Sequence, residues 1–454
     1  VLVAVVSTTG GLSAHAENLM DIFRLATQND PQLLAAQAER DMQYQNKQQA
    51  VSAFLPRITF NAGGTRTKKD YEGQPYSYPV YQYISPTQTI ETNYRAYWDP
   101  TYTALYNTHY LNLQLYQPIL DMGVIAGYQL ASHTLLHAEL AYRIAQQDML
   151  MRVADRYLYT LLAGSTLHLA RAEKNAISLQ LEASKHKYDV GLIAVTDVHE
   201  VKARYDHAIA QEIMAENALA AAREELREIT GVLHNSLLVL KPDAPLIPPS
   251  PTNIDTWTTA ATTQNLRVRA TEHALEAAQM AVQRERAAYY PTLGLTASIG
   301  RTGSDQAYAG YSATDTVVGV DFSMNLFQGG FTHSRIVQAQ RNVDKTLQEL
   351  EKQRREASKL TRNAFLGVLA GISHVTALRQ AVQSNESAHK SSIAGFEVGA
   401  RTSIEVLNAQ QELYRSQREH AYARIEYILN TLRLKLNVGM LTVDDLEQIN
   451  AWLG

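Results

Sequence analysis

The chain has 454 residues, a formal net charge of −4, 25 tyrosines and no cysteine. That length suggests two or three domains. The slight acidity, with Lys and Arg scattered along the chain, gives no electrostatic basis for nucleic-acid binding, and the lack of cysteine excludes disulfides and thiolate metal sites. The 13 prolines cluster, with none between Pro118 and Pro242 and none after Pro291. Proline-free runs of that length predict unusually long helices.

Residues 1–16 open with an apolar run and close on Ala14-His15-Ala16, which reads as the remnant of a secretory signal peptide cleaved before Glu17. No later segment approaches ~18 consecutive apolar residues, so no transmembrane helix is expected, and an exported chain of this kind can cross a membrane only as a closed β-barrel. Residues 17–56 show helical spacing, with Asp30-Pro31 as an N-cap and a first-turn proline. Within 57–118 two strands are expected. Ile58, Phe60 and Ala62 share one face of the first, and Leu111, Leu113 and Leu115 share one face of the second. Between them, residues 64–107 are rich in Gly, Pro, Thr, Ser and Tyr and read as a long irregular loop. Residues 119–230 form a long helical hairpin, its first arm running from about Gly123 to Tyr188 (roughly 100 Å if unbroken) and its tip at 190–196. Gly231 fits a helix C-terminus, and the Pro-rich stretch 231–260 reads as an irregular linker.

Then the pattern recurs. Ala26 to Pro56 matches Ala261 to Pro291 without a gap, at an offset of 235. Residues 261–291 are a helix again and 292–328 are two strands. The first carries Leu293, Leu295, Ala297 and Ile299 on one face, the second Val318, Val320, Phe322, Met324 and Leu326, with about 15 residues expected between them. Residues 329–438 form a second helical hairpin with its tip at 398–403, and 439–454 close the chain. The tips themselves repeat: Val190-Gly191 is echoed by Val398-Gly399. A repeat of this length means two copies of one unit, helix–strand–strand–helix–turn–helix. In the last helix Ile425, Leu429, Leu432 and Leu436 step at heptad spacing.

Four strands of about ten residues, apolar on one face and polar on the other, suit a membrane barrel, yet the smallest barrels have about eight. Unpaired strand edges in lipid cost several kcal/mol per group, so the chain is expected to oligomerise. Two copies supply eight strands and three supply twelve, and composition does not choose.

Specific residues carry a resemblance. The start ENLMDIF, the central VGLIAVTDV…ARYD…LREITG, the FQGG before the second long helix and VGARTSIEVLNAQQELY are similar to the TolC family of outer-membrane efflux channels, along essentially the whole chain from Glu17. The resemblance implies an α+β membrane protein of Gram-negative bacteria. It would be a homotrimer whose 12-stranded outer-membrane β-barrel, four strands per chain, continues as a 12-helix periplasmic α-barrel. It implies a passive exit duct for tripartite efflux pumps or type I secretion, docked by a periplasmic adaptor protein and driven by an inner-membrane pump or ABC exporter. The linker and the C-terminal segment would form an equatorial layer, and the Tyr-rich loop would face outside the cell. The periplasmic entrance would be closed at rest by a latch near the tips, here Thr196 and Asp197 with Phe396 and Arg401. The pore constriction would fall at Glu405 and Asn408, and Gly191 and Gly399 would form the turns that meet the adaptor. Two positions depart from the family pattern: Phe396 replaces a Tyr hydroxyl, and the neutral Asn408 leaves Glu405 as the one clear acidic ring.

Plain readings of the same residues exist. Thr402-Ser403-Ile404-Glu405 fits a capping box, and Asp197 in a first helical turn suits the helix dipole. Catalytic motifs are absent: His199-Glu200 lacks the second His of a zincin, and neither Gly63-Gly64 nor Gly329-Gly330 precedes a phosphate-loop Lys. His133 and His137 are spaced i, i+4, but no neighbouring carboxylate or Cys completes a metal set, and no cofactor is implied. The alternative function is a non-conducting periplasmic coiled-coil scaffold anchored in the outer membrane.

Overall fold

The computed structural model describes residues 16–72, 75–85, 88–98, 102–306 and 310–454. All but the last residue of the expected signal remnant therefore lies outside the described residues. The chain divides into two compact units, one of residues 1–45, 132–278 and 342–454, the other of residues 46–131 and 279–341.

The second unit carries the strands: β1 (Arg57–Tyr71), β2 (Pro75–Ser85), β3 (Gln88–Trp98), β4 (Tyr102–Leu120), β5 (Thr292–Ser304) and β6 (Tyr311–Ser323). Four of them form one antiparallel sheet in the order β1-β4-β5-β6. Register decides what each face presents. Ile58 pairs with Leu115, Phe60 with Leu113 and Ala62 with Leu111; Leu113 pairs onward with Ile299, and Leu295 and Leu293 pair with Val320 and Phe322. Because side chains alternate along a strand, these pairs place one apolar band across all four strands. Phe60, Val318 and Phe322 are exposed by 66%, 71% and 68%, so among the described residues nothing covers them. The other face carries Asn61, Asn112, Gln114, Thr296 and Ser298. On it the Tyr110 ring lies over Gly63, where an added Cβ would meet it at 2.6 Å. Tyr116 covers Gly294 in the same way. An aromatic ring beside a strand glycine restores packing that the glycine lacks.

The strands outrun the sequence reading. Residues 64–71 continue β1, and 102–110 belong to β4, so that the ladder runs on to the Tyr71–Tyr102 pair. Inside the stretch read as irregular, β2 and β3 pair as a separate two-stranded sheet. The irregular-loop reading is therefore corrected, although residues 73–74, 86–87 and 99–101 lie outside the described residues. Past the apolar band a strand needs no hydrophobic alternation. Cross-strand polar pairs suffice, such as Thr103 Oγ1 donating to Asp70 Oδ1 at 2.5 Å, and these leave no periodic signal. The same effect shortens the β5–β6 connection to residues 305–310 from the expected 15 or so. At its other end β6 stops at Ser323, before Met324 and Leu326, which were expected on its apolar face.

The α-helices among the described residues are α1 (Leu19–Asn29), α2 (Pro31–Ser52), α3 (Met122–Asp189), α4 (Val195–Thr230), α5 (Ile254–Gln264), α6 (Leu266–Arg286), α7 (Phe331–Glu397), α8 (Ser403–Val438) and α9 (Val443–Ala451). The helix start expected at Asp30-Pro31 is present, and the same break recurs in the second repeat, where one helix was expected over 261–291. Asp30 ends α1 and Asn265 ends α5, 235 positions apart, and each side chain then caps the next helix. Asp30 Oδ1 accepts from Gln32 N at 3.3 Å, and Asn265 Oδ1 from Arg267 N at 2.8 Å. Proline density also overstated the linker, because Asn253 caps α5 only two residues beyond Pro251.

α3 and α7 run 68 and 67 residues. α7 contains an 18-residue window of mean hydropathy 1.3, enough by length and composition for a membrane span. The whole helix is far longer than the ~20 residues a span needs. Its apolar side chains Phe365, Val368 and Val375 are buried in the chain's main core, and Gly371 lets Tyr427 of α8 approach. Part of the apolar character of α7 therefore serves helix packing within the chain. That core also gathers Ile22, Val153, Tyr157, Leu226, Trp257, Leu429, Leu432 and Leu446, all in the first unit. Leu429 and Leu432 belong to the heptad stripe expected in the last helix.

Candidate functional site at the helix tips

The two tips are built alike. At the end of α3, Gly191 N donates to Tyr188 O at 2.8 Å and Leu192 N to Lys187 O at 2.8 Å. At the end of α7, Gly399 N donates to Phe396 O at 3.2 Å and Ala400 N to Gly395 O at 2.8 Å. These are the two bonds of a Schellman motif, which needs a left-handed residue at the position each glycine fills. Gly191 and Gly399 meet that need at φ 76° and 75°.

Beyond the turns the tips diverge. α8 begins with Thr402 as N-cap in a full capping box: Glu405 N donates to Thr402 Oγ1 at 3.3 Å, and Thr402 N donates to Glu405 Oε2 at 2.7 Å. The Thr402 backbone and hydroxyl donors, in that order, hold the Glu405 carboxyl below its usual range and keep it ionised. α4 begins with Ala194, which offers no side-chain cap, and Asp197 occupies the position that matches Glu405. Asp197 still faces the positive end of its helix.

Arg401 lies along its own hairpin. Its stem crosses Gly395, where an added Cβ would meet Arg401 Cγ at 3.0 Å. Its Nη1 donates to the buried Ser392 Oγ at 2.9 Å. Among the described residues, no ion pair joins Arg401 to Asp197 within the chain. Phe396 is brought to the other hairpin instead, with Lys187 Nζ 3.8 Å from its ring centroid. Asn408 is likewise engaged across hairpins: Arg204 Nη2 donates to Asn408 Oδ1 at 2.8 Å, and Arg204 Nη1 to Gln411 Oε1 at 2.7 Å. Thr196 is exposed, and the apolar side chains of Val190, Leu192 and Val398 stand 70%, 72% and 80% exposed at the turns.

Sequence reasoning missed Lys187, Arg204 and Ser392. A signal existed for Ser392, since the tip offset of 208 places it opposite Ser184, which is also buried. For the two cations there was none, because their partners lie on another repeat. Beneath the tips Ile177, Leu181, Val201, Ala208 and Leu407 form a small separate core that joins α3, α4 and α8.

One cluster elsewhere mimics a catalytic arrangement. Glu17 Oε2 lies 2.5 Å from His234 Nδ1, and His234 Nε2 lies 2.8 Å from Thr230 Oγ1. Thr230 and His234 are fully buried, and Thr230 Oγ1 is already bonded to Leu226 O. A hydroxyl so enclosed has no route to a substrate; the cluster pins the start of α1 to the chain beyond Gly231.

Comparison with known proteins decides the family. The profile described as outer membrane efflux protein matches residues 22–232 and 257–439, a match interrupted only across the Pro-rich linker. The chain belongs to the outer membrane efflux protein family. It is 30% identical over 452 residues to the outer membrane protein TolC of Salmonella enteritidis, covering 97% of this chain and 86% of that one. It is 29% identical to the alkaline protease secretion protein AprF of Pseudomonas aeruginosa, with 96% and 88% covered. Among solved structures, the CmeC outer membrane channel of Campylobacter jejuni superposes with a TM-score of 0.75 at 15% identity, covering 96% of this chain and 90% of that one. The efflux protein is thus an outer-membrane channel of the TolC type, with a helical part that reaches into the periplasm. Its four-stranded sheet is one chain's contribution to the barrel, and its family and fold are those of transport rather than catalysis.

Proposed function

We propose that the chain works as a homotrimer, three sheets closing one twelve-stranded barrel and twelve helices enclosing a periplasmic tunnel. The observation that carries this is the open sheet: an apolar band bounded by β1 and β6, uncovered and with each edge strand paired on one side only among the described residues. Lipid can cover the band but cannot satisfy the edges. Only another copy offers a matching edge, and a ring of such contacts closes by cyclic symmetry.

The duct serves tripartite efflux or type I secretion, with a periplasmic adaptor seated on the tips and an inner-membrane pump or ABC exporter supplying energy. The exposed Val190, Leu192 and Val398 support an apolar docking contact at Gly191 and Gly399. At rest the entrance is held by Arg401 of one copy reaching Asp197 of the next, with Thr196 beside it. Arg401 is available for this because, among the described residues, a single neutral bond, to Ser392, holds its guanidinium. Phe396 contributes packing through Lys187 rather than a hydroxyl bond. Glu405, kept ionised by Thr402, forms a threefold acidic ring at the constriction, and Asn408 a neutral one.

Three links of about 1 kcal/mol each bias closure by about 3 kcal/mol, which a docked partner can overcome. Single-channel recording in planar bilayers tests the reading. The wild-type trimer conducts weakly, and Arg401→Ser raises its conductance. Equal conductance in the two rejects the latch, and trimers that never conduct favour the scaffold.

A further inference from the structure

We propose that this chain carries a binding site for a divalent transition-metal ion, of the kind Zn²⁺ represents, at His133, His273 and Glu276. Sequence reading noted His133 beside His137 and found no carboxylate to complete a set. The fold supplies one from a helix more than a hundred residues away. His273 and Glu276 are spaced i, i+3 on α6 and share a face. His133 approaches them from α3, its ring stacked on that of His273 with centroids 6.3 Å apart. Glu276 Oε2 lies 2.7 Å from His273 Nδ1 and 2.9 Å from His133 Nδ1. One donor atom from each residue falls within 4.8 Å of the other two.

Two imidazole nitrogens and one carboxylate oxygen are a donor set that zinc and its neighbours favour, with a fourth position left to water. His133 Nδ1 points to the same conclusion independently. It is shielded from solvent yet makes no properly aligned hydrogen bond, despite the nearby carboxylate. A lone pair held there is free for an ion. His137, one turn along, is not: its Nδ1 lies 2.8 Å from Ala270 O and fixes α3 against α6. The three donor side chains are 26–46% exposed, so an ion can enter and leave. Bound, it would displace protons from the imidazoles and tie α3 of the first repeat to α6 of the second.

The test is isothermal titration of Zn²⁺ into the purified, tag-free protein in detergent, with circular dichroism to check the fold of each variant. One Zn²⁺ should bind per chain, reversibly with EDTA, and raise the melting temperature. His133→Ala, His273→Ala and the near-isosteric Glu276→Gln should each weaken binding at least about tenfold, while His137→Ala should leave it unchanged. If an alanine variant misfolds, Glu276→Gln alone decides. Binding well below one ion per chain, or unaltered by Glu276→Gln, overturns the proposal. So does loss of binding in His137→Ala, which would place the ion on the sequence-adjacent pair instead.

Discussion

At residue 191 and again at residue 399 the chain reverses through a left-handed glycine and the same pair of backbone bonds, yet only the second reversal is followed by a capped helix. The first leads into Ala194, the second into Thr402 with its reciprocal partner Glu405. Duplication preserved what the turn requires of the backbone, and divergence entered through side chains the turn does not constrain. The consequence is mechanical. The second tip is tied to its outgoing helix by the Thr402–Glu405 capping box, while the first turn of α4 has no side-chain cap at Ala194.

The comparison breaks most completely at the glycines. Gly191→Val or Gly399→Val forces a branched side chain into the left-handed region at about 1–2 kcal/mol. Hydrogen exchange of the amides at Leu192 or Ala400 should accelerate at least about fivefold, and unchanged exchange would show that the turn does not depend on that conformation. Exchanging the caps comes next. Thr402→Ala should cost about 1 kcal/mol and make the start of α8 exchange like that of α4, whereas Ala194→Thr should slow exchange in the first turn of α4. Equal protection of the two helix starts in the wild type would contradict the asymmetry.

Smaller is the link between hairpins. Lys187→Ala should remove about 0.5–1 kcal/mol of cation–π attraction, and a double-mutant cycle with Phe396→Leu should show the two losses to be non-additive. Subtlest is acid. Glu405 titrates below its usual range because Thr402 donates to its carboxylate, so the capping box contributes in full above the ordinary carboxylate pKa. That contribution is lost as pH falls through the lowered value. Protection of the α8 start should decline with acid in the wild type, and Glu405→Gln should remove that dependence.

Much of this was legible in the residues. Alternation at Ile58, Phe60 and Ala62, and again at Leu293, Leu295 and Ala297, announced strands with one apolar face, and Gly191 and Gly399 marked the tips. What stayed hidden has a common cause. The extension of β1 to Tyr71, the β2–β3 pairing and the contacts of Lys187 and Arg204 rest on cross-strand or cross-repeat partners. Local periodicity reports only what a segment buries by itself. Arg401 shows the limit from the other side, since its number and charge were apparent while its seat on Gly395 and Ser392 was not.

The proposed trimer requires that the β1 and β6 edges, unpaired among the described residues, be met by other copies of the same chain. Counting the chains in the detergent-solubilised particle by native mass spectrometry tests this most directly. Three chains per particle is the predicted result; a monodisperse single chain that remains folded and inserts into bilayers would contradict it.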